Sequence, residues 1–378
     1  MKIQRTAFAA ALLCAATGAF AQSSTVTMYG SIDQYLSYMK SSNGTSIKSL
    51  NDGAILRSRL GFKGVEDLGN GLSAKFQLEQ GLSADSGAAA DPATSTSSGR
   101  SFDRQAWVGI ASKEYGEFRA GRQNSAIFYR GDYIDYGSRT LGGIVNNFGT
   151  PSRYDNDLSW QSPRWSGLML EAHYALGETT AGATKQAIYQ LAADYLDGPY
   201  RVGYAGIEGR PAAGAAVNKT VFYHNLYANY DYGQGKLYAV YIRSNNSTSG
   251  AGVSNNSTTI LGTVGALVTG TKADANRTYN IYQVSADYRV TPQLRVGALY
   301  GRIVDTSGND AGAQGGSIGA FYDLSKRTTL LALAETMANQ ANGGFRPSGS
   351  AGVSPNFSGA DVNGERISGV QLGIVHRF

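Results

Sequence analysis

Read back from residue 378, the chain alternates. Phe378, His376, Ile374, Leu372 and Val370 form one set of every-second residues, apolar with an aromatic end. Arg377, Val375, Gly373, Gln371 and Gly369 form the other, small, polar or charged apart from Val375. A period of two is that of a β-strand, whose successive side chains point to opposite faces. The pattern recurs near the start, where Val26, Met28, Gly30 and Ile32 oppose Thr27, Tyr29, Ser31 and Asp33 in a strand over 25–40. A second strand, about 54–64, sets Leu56, Leu60 and Phe62 against Arg57, Arg59 and Lys63. A third sets Leu72, Ala74, Phe76 and Leu78 against Ser73, Lys75, Gln77 and Glu79. A face carrying three cations must meet water, because each costs about 2–4 kcal/mol against lipid near the bilayer midplane.

The same reading predicts strands at 101–111, 116–123, 152–161, 168–176, 186–197, 200–208, 220–232, 235–245, 278–290, 294–305, 315–323, 328–338 and 366–378, sixteen in all. Their connections alternate in length. Those at 197–199, 232–235, 290–293 and 323–327 are short; those at 124–150, 209–219, 246–277 and 338–365 are long. A bilayer-spanning barrel has short turns on one rim, long loops on the other and an even strand count. A soluble β-sandwich has no reason to sort its loops by parity. The pattern predicts an all-β, transmembrane antiparallel β-barrel. The stretch 258–271, apolar and glycine-containing, is either a further hairpin, giving eighteen strands, or a packed piece of loop. No repeat of fixed period argues for a propeller or solenoid.

Composition places the chain. Lys2 and Arg5 precede a short apolar run that ends in Ala19, Phe20 and Ala21, the form of a secretory signal peptide over 1–21. Leu13 before Cys14 argues against a lipoprotein signal. Removing the signal takes away Lys2, Arg5 and Cys14 and leaves a formal charge of +3 with no cysteine, so neither a disulfide framework nor a nucleic-acid partner is expected. The 24 Tyr and 49 Gly suit membrane interfaces and crowded barrel walls. No segment is long and apolar enough to cross as a helix. No G-x-S-x-G occurs, and His173, His224 and His376 stand apart on different strands. Metal-ligand spacings are absent, so no catalytic residue, metal or cofactor is expected.

Several motifs together resemble the general diffusion porins of Gram-negative outer membranes, most closely the β-proteobacterial branch. They are T-M-Y-G-S-I-D at 27–33, R-L-G-F-K-G-V-E-D-L-G-N-G-L at 59–72, W-V-G-I at 107–110, A-G-R-Q at 120–123, and the terminal H-R-F. The resemblance covers nearly all of 22–378. It implies a sixteen-stranded barrel, a homotrimer in the outer membrane, with lipid and lipopolysaccharide around it. Small hydrophilic solutes and ions would pass through it. It also implies that a third loop, here 124–150, folds into the lumen. Arg59, Arg104 and Arg153 match the cationic wall positions, with Asp132 and Asp135 as the facing acids. Arg57, Lys63, Lys75, Arg122, Arg130 and Arg139 are expected on the lumen side as well. The loop lacks the family's common P-E-F-G-G. Alternation of residues alone puts Arg104 on the side of Val108 and Ile110. A non-conducting adhesin, a structural barrel or a barrel hydrolase are the competing classes.

The resemblance makes Phe378, with His376 before it, the signal read by the barrel-assembly machinery. Deleting Phe378 is expected to leave unfolded chain in the periplasm. Normal amounts of heat-modifiable barrel in the outer membrane would refute this.

Overall fold

A computed structural model describes residues 24–89, 100–139, 141–177, 187–209, 220–245, 278–349, 352–353, 357 and 359–378. The expected signal peptide and the 258–271 stretch lie outside the described residues. Sixteen antiparallel strands form a closed barrel. They are β1 (Ser24–Ser41), β2 (Arg59–Gly69), β3 (Leu72–Ser83), β4 (Gln105–Ser112), β5 (Gly116–Asn124), β6 (Arg153–Gln161), β7 (Leu168–Ala175) and β8 (Ile188–Asp197). The second half comprises β9 (Tyr200–Gly209), β10 (Val221–Asp231), β11 (Lys236–Ser244), β12 (Tyr279–Arg289), β13 (Leu294–Asp305), β14 (Ala313–Asp323), β15 (Thr328–Asn339) and β16 (Arg366–Arg377). Two short segments, Ser46–Asp52 and Ala88–Ala89, extend the sheet at the long-loop rim.

Each strand pairs with its chain neighbours, and the circle closes where β1 meets β16. The register there runs from Ser31 opposite Arg377 to Ser41 opposite Ile367. Phe378 completes it, exchanging backbone hydrogen bonds with Gly30 at 3.0 and 3.1 Å. The short connections all lie at one rim and the long ones at the other, so the long-loop rim faces outward from the cell.

Alternation sorts the side chains. Val26, Leu191, Val108, Ile318 and Leu372 are exposed on the outer face. Tyrosines mark its two borders. Tyr174 and Tyr189, and Tyr241 and Tyr282, pair toward the long-loop rim with ring centroids 5.1 and 5.3 Å apart. Tyr200 and Tyr230 pair at the other rim at 5.0 Å. Such girdles place amphipathic rings at the two membrane–water interfaces.

Two expected strands start later than alternation predicts, for identifiable reasons. Residues 53–58 leave the wall and turn inward. The Asp33 carboxylate accepts the backbone N–H groups of Ala54, Ile55 and Leu56 at 3.1, 2.7 and 2.7 Å, and the Asp33 N–H donates to Ser58 Oγ. A side chain thus supplies the partners that a neighbouring strand would have supplied, and β2 begins at Arg59. Likewise β4 begins at Gln105, so Arg104 precedes the strand and escapes its parity.

At Gly30 a Cβ would stand 2.4 Å from the Phe378 ring and 2.6 Å from the Arg59 carbonyl oxygen. Gly30→Val is therefore expected to block closure of the seam, while Ala332→Val on the exposed outer face of β15 is tolerated. Equal yields of heat-modifiable barrel from the two variants would refute it.

Candidate constriction and its inward loop

After Asn124 the chain dives into the lumen. The neck is tied where Ser125 Oγ donates to the Pro151 carbonyl at 2.7 Å. A 3-10 turn, Phe128–Tyr133, follows. The wall supplies partners all along the path. Ala126 N–H donates to Gln190 Oε1 at 2.9 Å, and Asn229 Nδ2 to the Tyr133 carbonyl at 3.0 Å. Tyr136 N–H reaches Ser285 Oγ, its hydroxyl meets Ser317 Oγ at 2.9 Å, and Arg295 donates to its carbonyl at 2.7 Å. Leu141 N–H donates to the Ala54 carbonyl at 3.3 Å, on the inward turn beside β1. A short helix α1, Ile144–Phe148, then returns; Gly149 ends it with φ of 97°, a conformation that favours glycine. Val145 N–H donates to Gln283 Oε1 at 3.1 Å.

The loop brings its own apolar side chains. Ile134, Leu141, Ile144, Val145 and Phe148 are buried against inward residues of β8–β15, among them Ile188, Tyr223, Tyr279, Ile281 and Leu333. Phe148 meets Tyr279 edge-on with centroids 5.4 Å apart. Part of the expected wet lumen is therefore packed core. On the β1–β5 side Glu79, Arg104, Gln105 and Trp107 are buried as well. A space of about 650 Å³ opens there at the short-turn rim, lined by Asp67, Ser73, Lys75, Glu117 and Gln161 among others.

The arginines gather between that wall and the loop. Arg104 Nε donates to Glu79 Oε1 at 2.5 Å, and Arg59 Nη1 lies 3.8 Å from the same oxygen. Tyr29 Oη donates to Glu79 Oε2 at 2.9 Å and itself accepts from Gln77 Nε2. Arg57 Nη1 stands 3.8 Å from Asp103 Oδ2. Arg153 lies over the Phe128 ring at 4.6 Å and Arg139 over the same ring at 4.0 Å. Arg153 is also within electrostatic reach of Glu79, and Arg139 of Arg104. Burial lowers the Arg139 guanidinium from its ordinary value, and Arg104 adds to this. Arg59, Arg104 and Arg153 thus surround the Glu79 carboxylate, while Arg57 is also within electrostatic reach of Asp52, and Arg139 of Asp132 and Asp135.

Asp132 and Asp135 form no ion pair with Arg59, Arg104 or Arg153, but both lie within electrostatic reach of Arg139. Asp135 turns to the far wall, where its carboxylate accepts from Gly137 and Arg139 N–H at 2.9 and 2.8 Å and from Gln283 Nε2 at 3.0 Å. Burial pushes this carboxyl above its ordinary range against the pull of those donors. Asp132 is exposed and lines a separate space of about 230 Å³ with Asp231, Lys236, Asp287 and Arg295, near β10–β13. The acid that holds Arg59 and Arg104 is Glu79, on the wall itself. It was visible as the inward neighbour of Lys75 and Gln77.

Two cations expected in the lumen point elsewhere. Arg122 pairs in register with Ala106, on the outward face of Val108 and Ile110, and bonds Asp155 at 2.6 Å. Arg119, three residues earlier, takes the inward side, since an odd separation along a strand reverses the face. It stacks 4.6 Å over Trp107 and donates to Tyr129 Oη at 3.0 Å. Arg130 is buried behind the loop, bonded to Glu171 and to the Ala126 carbonyl. Lys63 is exposed, 5.5 Å over the inward Tyr29 ring, and Lys75 pairs with Glu117 at 2.7 Å. His173 is buried between Asp157 and Glu171, whereas His224 sits on the outer face against Tyr204, so the wall separates them. His376 meets Thr328 Oγ1 at 2.9 Å on the outer face.

A closed sixteen-strand barrel with a loop folded into its lumen defines a porin-type outer-membrane channel. Residues 9–342 match the family described as Gram-negative porin, and the chain belongs to that family. It is 29% identical to an outer membrane porin protein of Bordetella pertussis, over 90% of this chain and 95% of the relative. It is 30% identical to the major outer membrane protein P.IB of Neisseria meningitidis, over 81% and 86%. The solved anion-selective porin from Comamonas acidovorans shares the fold, with a TM-score of 0.72, 24% identity, and coverage of 94% of this chain and 100% of that one. The protein is a porin of the outer membrane, a channel.

Phe128 carries two guanidiniums, each contact worth about 0.5–2 kcal/mol. Phe128→Leu keeps the bulk and removes the π face. It is expected to leave the barrel folded and to raise open-channel current noise in planar bilayers, and Phe128→Ala more so. Wild-type noise in the leucine variant would show that packing alone seats the loop.

Proposed function

We propose that the channel is water-filled and passes ions and small hydrophilic solutes by passive diffusion, with a mild preference for anions. The observation that carries this is the set of three guanidiniums, Arg59, Arg104 and Arg153, around the one carboxylate of Glu79. Arg59, Arg104 and Arg153, with Arg57 and Arg139, form the constriction, and charged groups at a narrow passage set ion preference. The anion-selective porin that shares the fold supports the sign. A homotrimer is part of the proposal on the family resemblance, as are recognition of Phe378 by the assembly machinery and contact with lipopolysaccharide.

Purified protein is expected to form stable, ohmic channels in planar bilayers; baseline current alone would sink the proposal. Arg59→Gln with Arg153→Gln is expected to move the reversal potential in a dilute salt gradient toward cations, and Glu79→Gln to move it toward anions. The shifts shrink as salt rises, because the Debye length falls from about 8 Å at physiological salt to about 3 Å at 1 M. If opposite substitutions leave the potential unmoved in dilute salt, these residues do not line the pathway.

A further inference from the structure

We propose that Asp33 is a positioning residue of the constriction: it seats the inward turn 53–58, and that turn sets where the guanidiniums of Arg57 and Arg59 stand. The proposal rests on the reading of an anion-preferring channel and adds a second inward element beside the loop that narrows it.

Asp33 is buried on the inward face of β1, and every one of its polar atoms serves the turn. Its carboxylate accepts the N–H groups of Ala54, Ile55 and Leu56. Its own N–H donates to Ser58 Oγ at 2.8 Å, and its carbonyl accepts from Gly53 N–H at 2.7 Å. Three consecutive N–H groups aimed at one carboxylate give irregular backbone the acceptor that no ladder supplies there. The far end of the turn is pinned as well. Ser58 N–H donates to Asp52 Oδ2 at 3.4 Å, and the Ser58 carbonyl accepts from Leu82 N–H at 2.8 Å.

What the turn carries decides its use. Ala54 is buried in the cluster that holds Leu141 of the loop, and Ile55 and Leu56 pack half-buried against it. Leu141 N–H donates to the Ala54 carbonyl at 3.3 Å, so the turn continues the inner lining of 124–150 onto the β1–β2 wall. The turn ends at the arginines. The Arg57 carbonyl accepts from Arg59 Nε at 2.9 Å and from Ser31 Oγ at 3.4 Å, so a carbonyl of the turn orients Arg59. The Arg57 guanidinium lies on Gly81, where a Cβ would stand 2.7 Å from its Nε, and reaches Asp103 at 3.8 Å. The backbone path of 53–58 therefore places both side chains, and Asp33 holds that path.

The sign of one shift tests this. Asp33→Asn takes a negative charge from the lumen side, which by charge alone moves the reversal potential toward anions. It also puts an amide N–H₂ where a carboxylate oxygen now accepts backbone donors. An unseated turn spreads Arg57 and Arg59 and widens the passage. Single Asp33→Asn channels in planar bilayers, in a dilute salt gradient, are therefore expected to shift toward cations and to conduct more. Ser58→Ala, which loosens the same seat without a change of charge, is expected to shift the same way by less. Bilayer recordings read only folded channels, so a lower yield does not mask the result. A shift toward anions, or none, in Asp33→Asn overturns the positioning role. Where Asp33→Asn gives no channels, an unmoved potential in Ser58→Ala overturns it. Arg59→Gln with Arg153→Gln, recorded in the same salt, separates the two readings. If that pair moves the potential and Asp33→Asn does not, the constriction stands and only the role of Asp33 falls.

Discussion

Everything in this molecule depends on satisfying backbone hydrogen bonds where no water can do it. A sheet crossing hydrocarbon leaves unpaired N–H and C=O groups on its first and last strands unless those strands meet each other. The pairing of β1 with β16 removes both edges at once. That constraint explains why Gly30 has no side chain. The Phe378 ring and the Arg59 carbonyl both press on the place where a Cβ would stand. It also explains how the expected strand over 54–64 can be shortened. Asp33 receives the backbone donors that the inward turn withdrew from the ladder.

The same requirement governs the loop inside the lumen. Irregular backbone carried into the barrel needs partners, and the inward amides and hydroxyls of the wall provide them. Gln190, Gln283, Ser285 and Asn229 each bond the loop backbone, from β8, β12 and β10. Apolar packing beneath α1 completes the attachment. The loop backbone is therefore attached to the β8–β15 side.

Alternation made the barrel legible because a period of two is enforced by the backbone along every strand. It reached the outward apolar set, the inward cations of β2 and β3, and the sorting of loops by rim. It failed where residues leave a strand. Arg104 sits before β4, so parity with Val108 had no hold on it. Arg122 follows the parity of β5 and is carried outward. The direction of Asp132 and Asp135 depends on tertiary partners on β10–β13, and nothing within 124–150 encodes it. One signal in the loop was readable in retrospect: Phe128, Tyr129, Tyr133 and Tyr136 crowd into nine residues of a chain whose wall is rich in inward arginines.

That crowding bears on how a charged pore is built. An arginine bonded to a carboxylate is well placed, but its charge is largely cancelled. An arginine standing over an aromatic ring is also placed, through attraction to the ring's quadrupole and planar stacking, and its charge is kept. Arg139 and Arg153 over Phe128 belong to the second kind, as does Arg201 over Tyr133 at 3.6 Å, although Asp194 also lies 3.7 Å from Arg201. Arg104 and Arg59 belong to the first, sharing the single carboxylate of Glu79. One acid divided between two guanidiniums, and a ring that takes two more, is the arrangement on which the proposed anion preference rests. In the proposed constriction, the contacts that hold the loop would also preserve the field a solute meets.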